Sequence, residues 1–173
     1  MVELHGTGFI LRGWFDGDEE SLQKHADNPN VSTYLLDRFP YPYTINDADK
    51  WVTYMQHQKI QTNFAIAIAG QVCGGIAVDL MINANSNAAE IGYWLGEPYW
   101  GRGIITEAVK LLTDYAFKNL DVIRVQAGVF GQNVASMRVL EKAGYVKEGI
   151  MRNAIIKNGK VMDKHMYAIL KPE

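Results

Sequence analysis

Between Ala89 and Ala116 the chain passes from strand to helix through two closely spaced glycines, and this passage limits the fold more than any other stretch. Ala89 to Leu95 reads as a strand closed by Gly96 and Pro98. After Tyr99-Trp100-Gly101-Arg102-Gly103, helical spacing takes over, with Ile104, Ala108, Leu111, Leu112, Tyr115 and Ala116 on one face. A strand feeding a helix in this way demands an α/β arrangement. The glycines let the backbone turn tightly and leave several N–H groups at the positive end of the helix dipole, which is a cradle for phosphate. It is not a nucleoside-triphosphate loop, because no Gly-Lys-Ser/Thr follows. Nor is it a dinucleotide fingerprint, since Thr106 stands where the third glycine belongs. A lone Gly-x-Gly ahead of a helix also serves as a plain turn, so the loop alone leaves both readings open.

The rest of the chain supplies the partners for that unit. Phe9 to Trp14 reads as a strand ending in an Asp16-Gly17 turn, and Asp16 with Glu19 opens a helix to about Ala26, stopped by Asn28-Pro29-Asn30. Phe39-Pro40-Tyr41-Pro42-Tyr43 excludes helix. Thr44 or Asn46 opens a helix with Ala48, Trp51, Val52 and Met55 on one face. Phe64, Ile66 and Ile68 mark a strand that turns at Gly70-Gln71 into Val72–Met81, and Asn83 to Asn87 is a polar loop. Val122 to Val129 is a strand, and Val134 to Lys142 a helix capped by Gly144. Tyr145 to Asn153 and Val161 to Leu170 are strands joined across Asn158-Gly159. The order β-α-α-β-β-β-α-β-α-β-β predicts one mixed α/β domain over residues 1–173, with antiparallel hairpins around a central pair of strands and helices on both faces.

At 173 residues and 48% hydrophobic content the chain is long enough to bury a full core. No apolar run reaches ~18 residues, so no membrane span is expected. Met1 to Gly8 lacks the basic and apolar regions of a secretory signal, and the single cysteine, Cys73, cannot form an internal disulfide. A cytoplasmic protein is the expectation. The net charge of −2 argues against a dedicated nucleic-acid binder. Residues 1–86 carry 5 basic and 10 acidic side chains, whereas residues 87–173 carry 12 and 9. An anionic ligand is therefore better matched to the second half and a cationic one to the first. The four histidines show no metal-ligand spacing, so no metal is expected.

Three blocks in order carry a family resemblance: Ala89-Glu90-Ile91-Gly92-Tyr93-Trp94-Leu95-Gly96, the loop Trp100 to Ile105 followed by Thr-Glu-Ala, and Asn133 to Tyr145 with its Asn-x-x-Ser-x-x-x-Leu-Glu-Lys-x-Gly-Tyr pattern. The sequence resembles the GNAT superfamily of acyl-CoA-dependent N-acetyltransferases, and is most similar to its ribosomal-protein-alanine N-acetyltransferase-like branch. Trp100 and Ile105 depart from the family's Gln/Arg-x-x-Gly-x-Gly/Ala loop. The resemblance extends to Phe39–Trp51 and to Asn158-Gly159, Asp163 and Tyr167, and so covers nearly the whole chain. It implies the GNAT fold, with a mostly antiparallel sheet splayed between its fourth and fifth strands.

The resemblance also implies roles. Backbone N–H groups of Arg102, Gly103, Ile104, Ile105 and Thr106 would hold the pyrophosphate of acetyl-CoA, the cosubstrate. The backbone of Trp94, Leu95 and Gly96 would pair with pantetheine as an added strand. Asn133 would contact the same arm, and its position also suits a helix N-cap; the two roles are compatible. Direct acyl transfer to an amine needs a base for the amine and an acid for the leaving thiolate, with no protein nucleophile. Cys73, inside a strand, reads as a core residue. The family's usual tyrosine acid is replaced here by Leu140, which leaves Ser136, one turn earlier, as the acid or as a serine bonded to a backbone carbonyl. Glu90 is the candidate base, through water, or a carboxylate capping a strand.

The acceptor would be a protein N-terminal α-amine or a small amine such as a polyamine or amino sugar. Its pocket is expected from Ser32–Tyr43 and Asn153–Asp163, with Asp37, Arg38, Tyr41 and Tyr43 either lining it or packing as an aromatic loop over the core. The other class of function is a non-catalytic acyl-CoA-binding sensor or scaffold, marked by a degraded loop or a lost acid and base. Gly101, Gly103, Asn133, Ser136 and Glu90 are all present, which favours catalysis. A homodimer covering a sheet edge is a further expectation.

Overall fold

The computed structural model of the chain describes residues 2–81 and 87–172. Among these residues the elements run β1 (Leu4–Gly6), β2 (Phe9–Arg12), α1 (Glu19–Ala26), α2 (Pro29–Ser32), α3 (Ile45–Gln56), β3 (Asn63–Ile68), β4 (Gln71–Leu80), β5 (Ala88–Leu95), α4 (Ile104–Asn119), β6 (Arg124–Phe130), α5 (Val134–Lys142), β7 (Val146–Lys157) and β8 (Lys160–Leu170). A 3-10 turn at Glu97–Tyr99 stands between β5 and α4. The strands hydrogen-bond in the order β1-β2-β3-β4-β5-β6-β8-β7. The pairs β1/β2, β2/β3, β3/β4, β6/β8 and β7/β8 are antiparallel, and β5/β6 is parallel. The parallel ladder holds only Ala88↔Arg124, Ala89↔Val125 and Glu90↔Gln126, then stops while β5 runs on to Leu95 and β6 to Phe130. That is the splay expected between the fourth and fifth strands of the sequence pattern. The polar loop read at Asn83 to Asn87 lies outside the described residues except for Asn87, whose carbonyl accepts the Ile123 N–H at 2.8 Å.

Two compact units divide the chain, Met1–Ala77 with Tyr93–Ala108 and Val78–Gly92 with Val109–Glu173. In the first unit, α1 contributes Leu22 and Ala26 and α3 contributes Ala48 and Val52 to a core shared with Trp14, Tyr43, Ala65 and Val72. Each such Leu or Val side chain contributes about 1.5–3 kcal/mol of hydrophobic stabilisation. Trp14 meets the edge of Trp51 at 6.0 Å between ring centres, and its indole N–H donates to Asn63 at 2.9 Å.

Several boundaries in this unit differ from the sequence reading. Strand β1 was not foreseen, because its three residues include one large apolar side chain, Leu4. Helix α1 begins at Glu19 rather than Asp16. The Asp18 carboxylate is occupied elsewhere, accepting both Arg12 Nη atoms at 2.8 Å and the Phe15 N–H at 2.9 Å. Asn28 does stop α1, but it also caps α2 by accepting the Asn30 N–H at 2.8 Å, with Pro29 at the first helical position. Of the two candidate starts for α3, Thr44 is the cap, in a reciprocal capping box with Asp47. The β3–β4 turn falls one residue earlier than expected, at Ala69-Gly70, where φ is 48° and 82°.

In the second unit, Leu112 and Ala116 of α4, Val125 of β6, Leu140 of α5 and Tyr167 of β8 are buried. Thr113 Oγ1 and the Tyr145 hydroxyl share a hydrogen bond of 2.7 Å, and the Tyr167 hydroxyl donates to Glu141 at 3.1 Å. Helix α5 ends as expected on Gly144, at φ 94°, where the Tyr145 N–H reaches the Leu140 carbonyl and the Gly144 N–H reaches that of Glu141. Asn158-Gly159 makes the final hairpin, with φ 50° and 72°. β7 is longer than expected because register shifts at Lys147/Gly149 and Met151/Ile155 let it resume pairing beyond Asn153.

The Arg12–Asp18 pair is almost fully withdrawn from water. Replacing Asp18 with Ala leaves the guanidinium without its charge partner and is expected to cost about 3–5 kcal/mol, read as a lowered urea midpoint. Arg12→Met combined with Asp18→Leu should cost clearly less, because no lone charge then remains buried.

Candidate functional site

The first unit carries the turn from β5 into α4. Gly96 donates its N–H to the Cys73 carbonyl of β4 at 2.7 Å. Backbone groups alternate sides along a strand, so the N–H and C=O of Leu95 point away from β4. Of Trp94, Leu95 and Gly96, Leu95 is therefore the residue whose backbone is available for an added strand. Its carbonyl already accepts one bond, from the Trp100 indole at 2.7 Å. The next three carbonyls are also taken within the turn: Gly96 by the Tyr99 N–H at 3.0 Å, Glu97 by the Trp100 N–H at 3.1 Å and Pro98 by Arg102 Nη2 at 2.8 Å.

Gly101 and Gly103 have φ of 75° and 79°, and a Cβ at either would meet nothing within 4 Å. Glycine is required there by backbone conformation rather than by space. The Gly103 carbonyl accepts the Glu107 N–H at 3.1 Å and so begins α4. Ile104, Ile105 and Thr106 are the first helical residues, whose N–H groups have no acceptor within a helix. The Glu107 carboxylate is directed elsewhere, to the backbone N–H and hydroxyl of Thr7 at 3.0 and 3.1 Å. The Arg102 guanidinium lies 5.5 Å from the Tyr99 ring centre as well as on Pro98, so its side chain folds back over the turn.

The turn is braced from outside. Glu97 accepts from Asn28 at 2.7 Å and from Asn30 at 3.0 Å, and these bonds hold its carboxyl below the usual carboxylate range. His25 lies beneath Gly96, where a Cβ would come within 3.0 Å of its Nδ1, and meets the Tyr99 ring edge-on at 5.4 Å. Burial, then nearby Lys24, lowers the His25 pKa, and its buried Nε2 makes no hydrogen bond. Cys73 is fully buried, and that burial pushes its thiol up despite a hydrogen bond with the Tyr99 hydroxyl. This is the environment of a core cysteine rather than a nucleophile. The supporting roles of His25 and the Trp100 indole had no signal in the sequence, because each depends on a neighbour the backbone brings to it.

The second unit carries Glu90, Asn133 and Ser136. Glu90 stands at the last rung of the β5/β6 ladder, opposite Gln126. Its carboxylate is 3.7 Å from Lys164 Nζ, and the two side chains are 41% and 28% exposed. Gly128 makes room for that lysine, since a Cβ there would fall 1.8 Å from Lys164 Cε. Asn133 caps α5, accepting the Ser136 N–H at 3.1 Å, which brings these two predicted residues together. Ser136 is half-buried.

The expected acceptor segment divides by burial. Asp37, Arg38 and Tyr41 are exposed. Tyr43 is buried in the core cluster, with the Phe39 ring tilted against it at 5.0 Å and edge-on to Trp94 at 5.4 Å. Burial, then the charge of Asp47, pushes its phenol up to about 12. Among the described residues no group of three or more His, Cys, Asp or Glu side chains is placed to hold a metal ion, and no helix is long and apolar enough to cross a membrane.

Comparison with known proteins gives this geometry a context. Residues 9–146 match the Acetyltransferase (GNAT) domain family. The chain is 37% identical over 161 residues to the Bacillus subtilis protein "Probable N-acetyltransferase YjcK", covering 90% of this chain and 89% of that one. It is 39% identical over 172 residues to "Uncharacterized N-acetyltransferase YoaA" from the same organism, covering 98% and 97%. Among solved structures, the ribosomal L7/L12 alpha-N-protein acetyltransferase RimL in complex with coenzyme A matches with a TM-score of 0.84 at 24% identity, over 98% of each chain.

Tyr43 yields a test of its placement. An unfolded tyrosine ionises near 10, the folded one at about 12, so the unfolded chain loses this proton first as pH rises. Stability contributed by the neutral phenol is thus complete below pH ~10 and declines between pH ~10 and ~12, by about 3 kcal/mol in all. Denaturant titrations across this range should show the decline, and Tyr43→Phe should lessen it.

Proposed function

Since the chain belongs to the GNAT acetyltransferase family, we propose that it moves an acetyl group from acetyl-CoA directly to the α-amine of a protein N-terminus, in one ternary complex. It is an N-acetyltransferase with acetyl-CoA as cosubstrate. The β5–α4 turn carries the acyl-CoA side of this reading. Its two left-handed glycines and the three N-terminal amides of α4 have the chemistry of a pyrophosphate site. Leu95 offers backbone groups for the pantetheine amides. Asn133 is proposed to contact the same arm while capping α5.

The choice of acceptor rests on Glu90. In the proposed reaction the amine nitrogen attacks the thioester carbonyl, the C–S bond breaks, the amine's proton passes through water to Glu90, and the Ser136 hydroxyl protonates the departing thiolate while taking a proton from water in turn. The Glu90 carboxylate is half-exposed and lies 3.7 Å from the Lys164 ammonium, within reach of water. An α-amine with a pKa near 7.8 is already about 14% neutral at pH 7 and asks little of a base, whereas a lysine-like amine is only about 0.04% neutral. The acceptor named for the RimL structure is of the same chemical class. Asp37, Arg38 and Tyr41, all exposed, are proposed to meet the acceptor, and Tyr43 to support them from the core.

Thiol release from acetyl-CoA should be fastest with peptides bearing a free N-terminus and far slower with the same peptides N-terminally blocked, or with polyamines or amino sugars. Glu90→Gln should lower kcat by about 100-fold or more. Preference for a polyamine would overturn the acceptor, and full activity in Glu90→Gln would overturn the base. Tight CoA binding with no release from any amine would favour a sensor.

A further inference from the structure

Four consecutive carbonyls, from Leu95 to Pro98, each accept a hydrogen bond from within the same turn. Two of the donors are backbone N–H groups, and the other two are the side chains of Trp100 and Arg102. A carbonyl oxygen carries partial negative charge, and one left aimed at a bound phosphate would repel it. We propose that Trp100 and Arg102 are positioning residues for acetyl-CoA, holding the Leu95 and Pro98 carbonyls in fixed directions so that the turn presents N–H groups to the anion. This rests on the acyl-CoA reading of the same turn and assigns two side chains roles that a phosphate contact would not predict.

The geometry separates these roles. Trp100 is 47% exposed, and the contact it makes with the turn's carbonyls is through its indole N–H. That N–H occupies one lone pair of the Leu95 carbonyl and fixes its direction, leaving the second for a ligand amide. The Arg102 guanidinium is held between the Pro98 carbonyl at 2.8 Å and the Tyr99 ring at 5.5 Å. Its fork is directed at the turn itself, and the anion is left to the amides of Gly103 to Thr106.

The test is calorimetric binding of CoA to the full chain at two ionic strengths, for wild type, Trp100→Phe and Arg102→Met, with Tm recorded for each. Trp100→Phe keeps an aromatic ring and removes the donor. Each variant is expected to weaken CoA about 3–10-fold, the loss of one hydrogen bond, with Tm within a few degrees of wild type. The salt dependence of binding in Arg102→Met should parallel that of wild type, because no charge on the phosphate has been removed. A flattened salt dependence would mean a direct guanidinium–phosphate contact and would overturn the role of Arg102. Wild-type affinity in Trp100→Phe would overturn that of Trp100 while leaving the acyl-CoA reading intact. A wild-type chain that fails to bind CoA would sink both.

Discussion

A strand that ends inside a protein leaves backbone groups with no ladder to join, and each must find a partner or face water. The end of β5 resolves this constraint within eight residues. Gly96 makes one last bond to β4, and then the carbonyls of residues 95–98 are satisfied by donors from residues 99–102. Beyond them, the first N–H groups of α4 have no acceptor within the helix. The left-handed conformations of Gly101 and Gly103 make the reversal feasible, since a side chain at either would cost roughly 1–2 kcal/mol in backbone strain. The proposed anion site thus rests on backbone groups before any charged side chain takes part.

The surroundings of the turn are arranged to hold it still. Glu97 is tied to Asn28 and Asn30 at the junction of α1 and α2, and Glu107 is tied to Thr7 in the β1–β2 turn. His25 packs under Gly96 and against the edge of the Tyr99 ring, where burial lowers its pKa. The cosubstrate of an acyl transfer must be oriented to well within an ångström, and at the proposed site a restrained backbone would supply that order in advance.

The second unit carries the proposed base and acid. Glu90 sits where the parallel ladder ends, and Gly128 lets Lys164 lie across toward it. That pairing sets the proposed base half-exposed and 3.7 Å from an ammonium.

The elements with strong periodicity were legible from the sequence: α3, α4 and α5, the strands around them, the Gly144 cap and the Asn158-Gly159 turn all follow from local patterns. The family resemblance, carried by the blocks around Glu90, Gly101 and Asn133, was legible too, and the match over residues 9–146 bears it out. Elements set by distant partners were not. The α1 start moved because Arg12 claims Asp18, and β1 is held by pairing with β2 rather than by its own three residues. By itself the sequence determined the order of the elements other than β1 and α2, the two glycines where the backbone turns tightly and the family to which the chain belongs, because these depend on residues close together in the chain. Only the tertiary structure decided that Tyr43 is core, that Lys164 partners Glu90, and that Trp100 and Arg102 spend their donors on the turn. Each of these depends on where the backbone carries a side chain, and on how far from water it is left.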